Sequence, residues 1–165
     1  MARNPYTGLC LQRYANAEAL VTAIGAASSS VLATAMLQGA VFQLYSAYLM
    51  HLRDIATTCS VSTPADICSA RQLLDVLSDL DKVPAEASEM DALVENRGSW
   101  LGRCVAVYGA LLEGAEPQSV QVSHGGIDVR QENDVVLPIT LHEVRSWLDA
   151  MDELLERHSA LMFEY

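Results

Sequence analysis

Between Glu18 and Arg53 the chain carries no Asp, Glu, Lys or Arg. A helix built from such a run is apolar on every side, and water must be kept from most of its surface. The part from Val31 to Met50 is long enough to cross a bilayer. Thr34, Gln38, Gln43, Tyr45, Ser46 and Tyr48 interrupt it, much of the rest is weakly hydrophobic Ala, and no strongly basic flank sets an orientation. The expectation is therefore a central helix enclosed by its neighbours. Phe42, Tyr45, Leu49 and Leu52 form one stripe at helical spacing, and Leu37, Val41, Leu44, Tyr48 and Ile55 form a second beside it. Gln38 and Gln43 should find partners inside the bundle, because a buried unpaired amide costs about 1–3 kcal/mol.

The enclosing helices have sequence signals of their own. Asn4 as cap and Pro5 at the first helical position open one that should reach about Ala27, where Ser28, Ser29 and Ser30 impose a break or a new cap. Thr63 followed by Pro64 opens a third helix carrying Ile67, Leu73, Leu74, Leu77 and Leu80 and stopped by Pro84. A fourth is expected from Ser88 and Asp91 through Trp100, Leu101, Cys104 and Tyr108 to Leu112, bent at Gly98. Thr140 and Glu143 form a capping box for the last, which continues through Val144, Leu148, Met151, Leu155 and Met162. Alternation in Val120-Gln121-Val122 and Ile127-Asp128-Val129 about Gly125-Gly126 predicts a small β-hairpin or irregular insertion at 115–139. The fold class expected is mainly all-α, an antiparallel bundle of four to five helices in a single helical domain spanning 1–165.

Ten basic against 21 acidic residues give a net charge of −11, which repels phosphate backbones and argues against a nucleic-acid partner. Cys10, Cys59, Cys68 and Cys104 are widely spaced, with no C-x-x-C or Cys/His pairing at ligand spacing, so free thiols are expected. Arg13 interrupts the short apolar stretch near the N-terminus, so the pattern of a secretion signal is missing and the cytoplasm is the expected compartment. No G-x-G-x-x-G, P-loop, H-E-x-x-H, G-x-S-x-G or EF-hand pattern occurs, and neither cofactor nor metal is expected. The acidic residues Asp75, Asp79, Asp81, Glu86, Glu89, Asp91 and Glu95 read as a solvated face. His158 falls on an apolar stripe, as a hydrogen-bonded core histidine would, and Glu153 with Arg157 reads as an i,i+4 ion pair.

The stretch from Val41 through Tyr45, Tyr48 and His51 to Ile55 resembles the central helix of an uncharacterised family of small helical proteins from Pseudomonas and related bacteria, a resemblance covering roughly residues 1–60 that carries no assigned activity. The architecture also resembles HEPN-type bundles, some of which are ribonucleases with a His four to six residues after an Arg. No Arg here has a His at that spacing. The function expected is a non-enzymatic helical interaction or regulatory module. Trp147, Leu154 and Leu161 widen the apolar surface of the last helix beyond what one neighbour covers, and so mark the face of a two-fold homodimer or of another protein partner. The alternatives are an enzyme or ligand binder with His51, Asp54, Arg97 and Tyr108 around an interhelical pocket, and a membrane-associated protein.

Overall fold

The computed structural model describes residues 4–114 and 138–162. Among them are six α-helices and no strand: α1 (Pro5–Ala23), α2 (Ser30–Thr58), α3 (Ala70–Asp79), α4 (Ala85–Glu95), α5 (Trp100–Leu112) and α6 (Leu141–Met162). Short 3₁₀ turns at Ile24–Ala26 and Pro64–Asp66 follow α1 and precede α3. The all-α expectation holds, with six helices in place of four to five. The segment expected to form a hairpin lies, but for residues 138 and 139, outside the described residues.

Local chemistry explains where the extra helix comes from. Asn4 caps α1 by accepting from the Tyr6 amide, and Ser29 caps α2 by accepting from the Leu32 amide, so the serine run ends one helix and starts the next. The third helix starts later than Thr63. Pro64 serves only the 3₁₀ turn, and α3 begins after Ser69, whose hydroxyl accepts from Gln72 N. Tyr48 Oη on α2 accepts from the Ala70 amide, one of the donors that a helix start leaves unpaired.

The single bent fourth helix is two helices. Asn96 Oδ1 accepts from Gly98 N, and Ser99 both caps α5 through Gly102 N and donates from its hydroxyl to Leu93 O at 2.5 Å. Together these bonds hold a sharp corner that a continuous helix would not permit. Ser88 is no cap, because α4 starts at Ala85 and the Ser88 hydroxyl donates back to Pro84 O. At Thr140 the capping box forms in full, Thr140 N donating to Glu143 Oε2 and Glu143 N to Thr140 Oγ1.

α2 touches every other helix through its C-terminal half. One core joins Cys10, Ala17 and Val21 of α1 to Val41 and Leu44 of α2, with Val107 of α5 and Trp147 and Met151 of α6. A second joins Leu52 and Ile55 of α2 to Leu73 and Leu77 of α3, Met90 of α4, Leu101 of α5 and Leu154 of α6. Of the stripe Leu37, Val41, Leu44, Tyr48 and Ile55, Leu37 is half-buried and the other four are buried. On the other stripe Leu52 is buried, Tyr45 and Leu49 are half-buried, and Phe42 is exposed. The N-terminal third of α2 is not enclosed, contrary to expectation, because among the described elements α1 and the 3₁₀ turn after it are what run beside it, and Val31 is 77% exposed.

The corner between α4 and α5 depends on close backbone contact at Gly102. A Cβ there would sit 2.3 Å from Asn96 O, whereas one on Gly109 would meet nothing within 4 Å. Gly102→Ala is expected to cost about 1–3 kcal/mol by forcing the corner open, and Gly109→Ala to stabilise by about 0.5–1 kcal/mol as a helix-interior glycine is removed. Urea denaturation of the two variants should show midpoints moving in opposite directions.

Candidate functional site

The residues expected to line a pocket do not converge. Asp54 is buried against the start of α1, accepting from Asn4 Nδ2 at 2.5 Å and Thr7 Oγ1 at 2.9 Å. Burial raises its carboxyl above the ordinary value, with the Thr7 bond opposing. Arg97 is exposed in the α4–α5 corner. Tyr108 stacks on Tyr45 with ring centroids 3.6 Å apart and takes Phe42 edge-on at 5.3 Å. Nor do Trp147, Leu154 and Leu161 form an open face. Trp147 and Leu154 are buried in the chain's own two cores, and of the three Leu161 alone is exposed. The stripe looked too wide for one neighbour because α6 has several.

His51 instead meets His158. Its Nε2 lies 2.8 Å from His158 Nδ1, both rings are buried, and His158 Nε2 lies 3.0 Å from Glu89 Oε2. Arg157 holds the other oxygen of Glu89. It is therefore not the partner of Glu153 that the i,i+4 spacing suggested. With both rings neutral the hydrogens follow from the acceptors: Glu89 accepts from His158 Nε2–H, and His158 Nδ1 accepts from His51 Nε2–H. The relay links α2, α6 and α4, and its outer end, Glu89, is partly exposed. His158 was legible as a hydrogen-bonded core histidine; its partners, 107 and 69 residues away, carried no local signal.

The acidic cluster is less solvated than its composition suggests, since Glu86 and Asp91 are buried. Asp91 pairs with Arg71 at 2.8 Å. Among the described residues no three His, Cys, Asp or Glu side chains are arranged to hold a metal ion. All four cysteines are free, and burial pushes the Cys10 and Cys104 thiols up to about 12, which leaves them poor nucleophiles. A cleft of about 330 Å³ lies at the C-terminal end of α2, where Ile55 and Cys59 face Lys82, Pro84 and Glu86; no relay residue lines it.

A different surface stands out at the other end of α2. From Glu18 to Gln38 only Val21 is fully buried, and from residue 19 onward this α1–α2 tip has no charged side chain. Val31 and Leu32 are exposed on it. No described helix is long and apolar enough to cross a membrane.

Fold and relay thus define an all-α protein organised around one central helix. The chain matches, over residues 14–159, a family described as a family of unknown function (DUF6586), and it belongs to that family. The match extends far beyond the N-terminal part on which the sequence resemblance rested. No curated protein and no solved structure matches it.

The relay gives the protein a defined response to acid. Burial, with His158 adding to it and Glu89 opposing, pushes His51 from 6.5 down to about 3. The unfolded chain therefore takes up a proton below pH 6.5 that the folded chain refuses. This contribution to stability is complete above that value and is lost as pH falls toward about 3. Glu89 is desolvated, but its bonds to His158 and Arg157 outweigh that and hold it below 4.5, so it acts in the same direction at lower pH. Asp54 acts oppositely, stabilising in acid. Because Asp54 and Glu89 are common to both proteins, wild type and His51→Gln isolate the histidine. Between about pH 7.5 and about pH 5 the wild type should lose more stability than the variant, by at most about 1.4 kcal/mol per pH unit for one proton. Urea titrations at the two pH values check it, and parallel losses would refute it.

Proposed function

We propose that the protein is a non-enzymatic helical interaction module that pairs with a second copy of itself through the α1–α2 tip, as a bacterial regulator or adaptor would. The observation that carries this reading is the exposed, uncharged surface at residues 19–38, on which Val31 and Leu32 stand open to solvent in a chain of net charge −11. Two adjacent apolar side chains exposed in surroundings without charge favour a contact surface. Two copies of so acidic a chain repel over most of their surfaces, and the tip is where the two can approach with least repulsion. Val31 and Leu32 would lie at the centre of a two-fold contact, with Thr34 and Ala35 beside them.

The rest of the chain fits a scaffold for that contact. It reads as one helical domain, since α2, α5 and α6 each contribute to both cores. The relay residues face one another rather than a cleft, which favours a structural over a catalytic role for the two histidines.

Light scattering at high micromolar concentration is expected to give a dimer mass. Val31→Glu with Leu32→Glu should give a monomer of unchanged helical circular dichroism, because both side chains are exposed on α2. A wild-type monomer, or a dimer that survives the double substitution, would refute the proposal. A wild-type monomer that sediments with lipid vesicles would replace it with membrane docking.

A further inference from the structure

The cleft at the far end of α2 contains a buried charge that the fold does not satisfy. Glu86 is 3% exposed, yet its carboxylate has no hydrogen-bond or ion-pair partner among the described residues. No buried side-chain oxygen is left sealed without a partner, so the remaining exposure of Glu86 belongs to its carboxylate, and the cleft it lines supplies that contact. The other two buried acids are provided for, Asp54 by Asn4 and Thr7 and Asp91 by Arg71. Burying a carboxylate with no partner costs stability, and a fold that retains one inside a cleft has placed it where a partner can arrive from outside.

Lys82 borders the same cleft. Its ammonium donates to Cys59 O at 2.5 Å, at the C-terminal end of α2, where the helix dipole favours a cation. An ammonium has three donors, so two remain after this bond. Lys82 and Glu86 do not pair with each other, and Ile55, Val83 and Pro84 supply apolar wall. A simple amine would meet repulsion from Lys82, and a simple carboxylate would meet repulsion from Glu86. A molecule carrying both charged groups on one carbon, with a small apolar body, can offer each its opposite charge.

We propose that this cleft binds a small aliphatic α-amino acid, its ammonium group on Glu86, its carboxylate on Lys82, and its side chain against Ile55, Val83 and Pro84. The volume of about 330 Å³ is at the small end of the range for ligand clefts, about 300–1,000 Å³. Binding is non-covalent, because burial raises the Cys59 thiol and the neighbouring Glu86 opposes its ionisation further, against Lys82. The site is independent of self-association, since it involves no residue of the tip.

Calorimetric titration of the full chain with L-leucine, 3-methylbutylamine and 4-methylpentanoate tests the assignment. Leucine is expected to bind at least about tenfold more tightly than the amine or the acid, each of which lacks one charge. Glu86→Gln and Lys82→Met should each weaken leucine binding by about tenfold or more. Without ligand, Glu86→Gln should melt at the same temperature as the wild type or higher, because it removes an unpaired buried charge. Absence of saturable leucine binding at millimolar concentration, equal binding of the amine, or a lower melting temperature for unliganded Glu86→Gln would each overturn the proposal. The last result would show that the carboxylate holds the fold together instead.

Discussion

A helix with so few charges can be buried only where it has neighbours to cover it, and in this protein that condition is largely met along the C-terminal half of α2, where Phe42 alone among the large apolar side chains stays exposed. From Ala40 to Ala56 it is flanked by α1, α3, α4, α5 and α6, and both cores are built on it. The bonds that place the other elements end on this half: Tyr48 receives the α3 amide, Arg53 Nε donates to Ile67 O, Asp54 accepts from α1, and His51 meets α6. Among the described elements the N-terminal third has α1 and the turn after it as neighbours, and Val31 and Leu32 are exposed. The charge-free run therefore ends in a core on one side and in an exposed surface on the other.

The buried ionisable groups are accommodated in different ways. Asp54 is held by neutral donors, which leaves burial as the dominant influence and raises its carboxyl. The two histidines are linked so that each ring satisfies the next, and the chain ends on a carboxylate also held by Arg157. Hydrogen bonding of that kind fixes the relative position of three helices, because removing either ring would strand a buried nitrogen at about 1–3 kcal/mol. Glu86 follows neither pattern. Its placement in the first turn of α4 suits a negative charge, but the dipole of an eleven-residue helix does not replace a hydrogen bond.

What could be read from the sequence was what adjacent residues decide. The caps at Asn4 and Thr140 act over two to three positions, and both form as expected. The α-helical class followed from periodicity in the same way. Boundaries failed where several weak signals competed. Thr63-Pro64 has the form of a helix start, but Ser69 and Tyr48 together make a better one. Gly98 suggested a bend, whereas Asn96 and Ser99 close a corner that separates two helices. The candidate sites failed for another reason. His51 and Asp54 share a helix turn yet face different partners, and whether Trp147 is covered depends on α1, α2 and α5 as much as on α6. Burial is decided by elements far apart in sequence, and an amphipathic stripe does not say how many neighbours it will have.

The two proposed sites lie at opposite ends of a helix of 29 residues, which at 1.5 Å per residue is about 43 Å long. Coupling between them would require an element with two arrangements that both sites bias. The half of α2 between them is clamped by the histidine relay, by the Tyr48 bond to α3 and by Asp54 against α1, and moving it would break all three at once. A rod held in this way transmits position, and a second arrangement would have to give up these bonds together. Events at the two ends should therefore be energetically independent, since α2 is the element common to both sites and it is held at its middle by α1, α3 and α6.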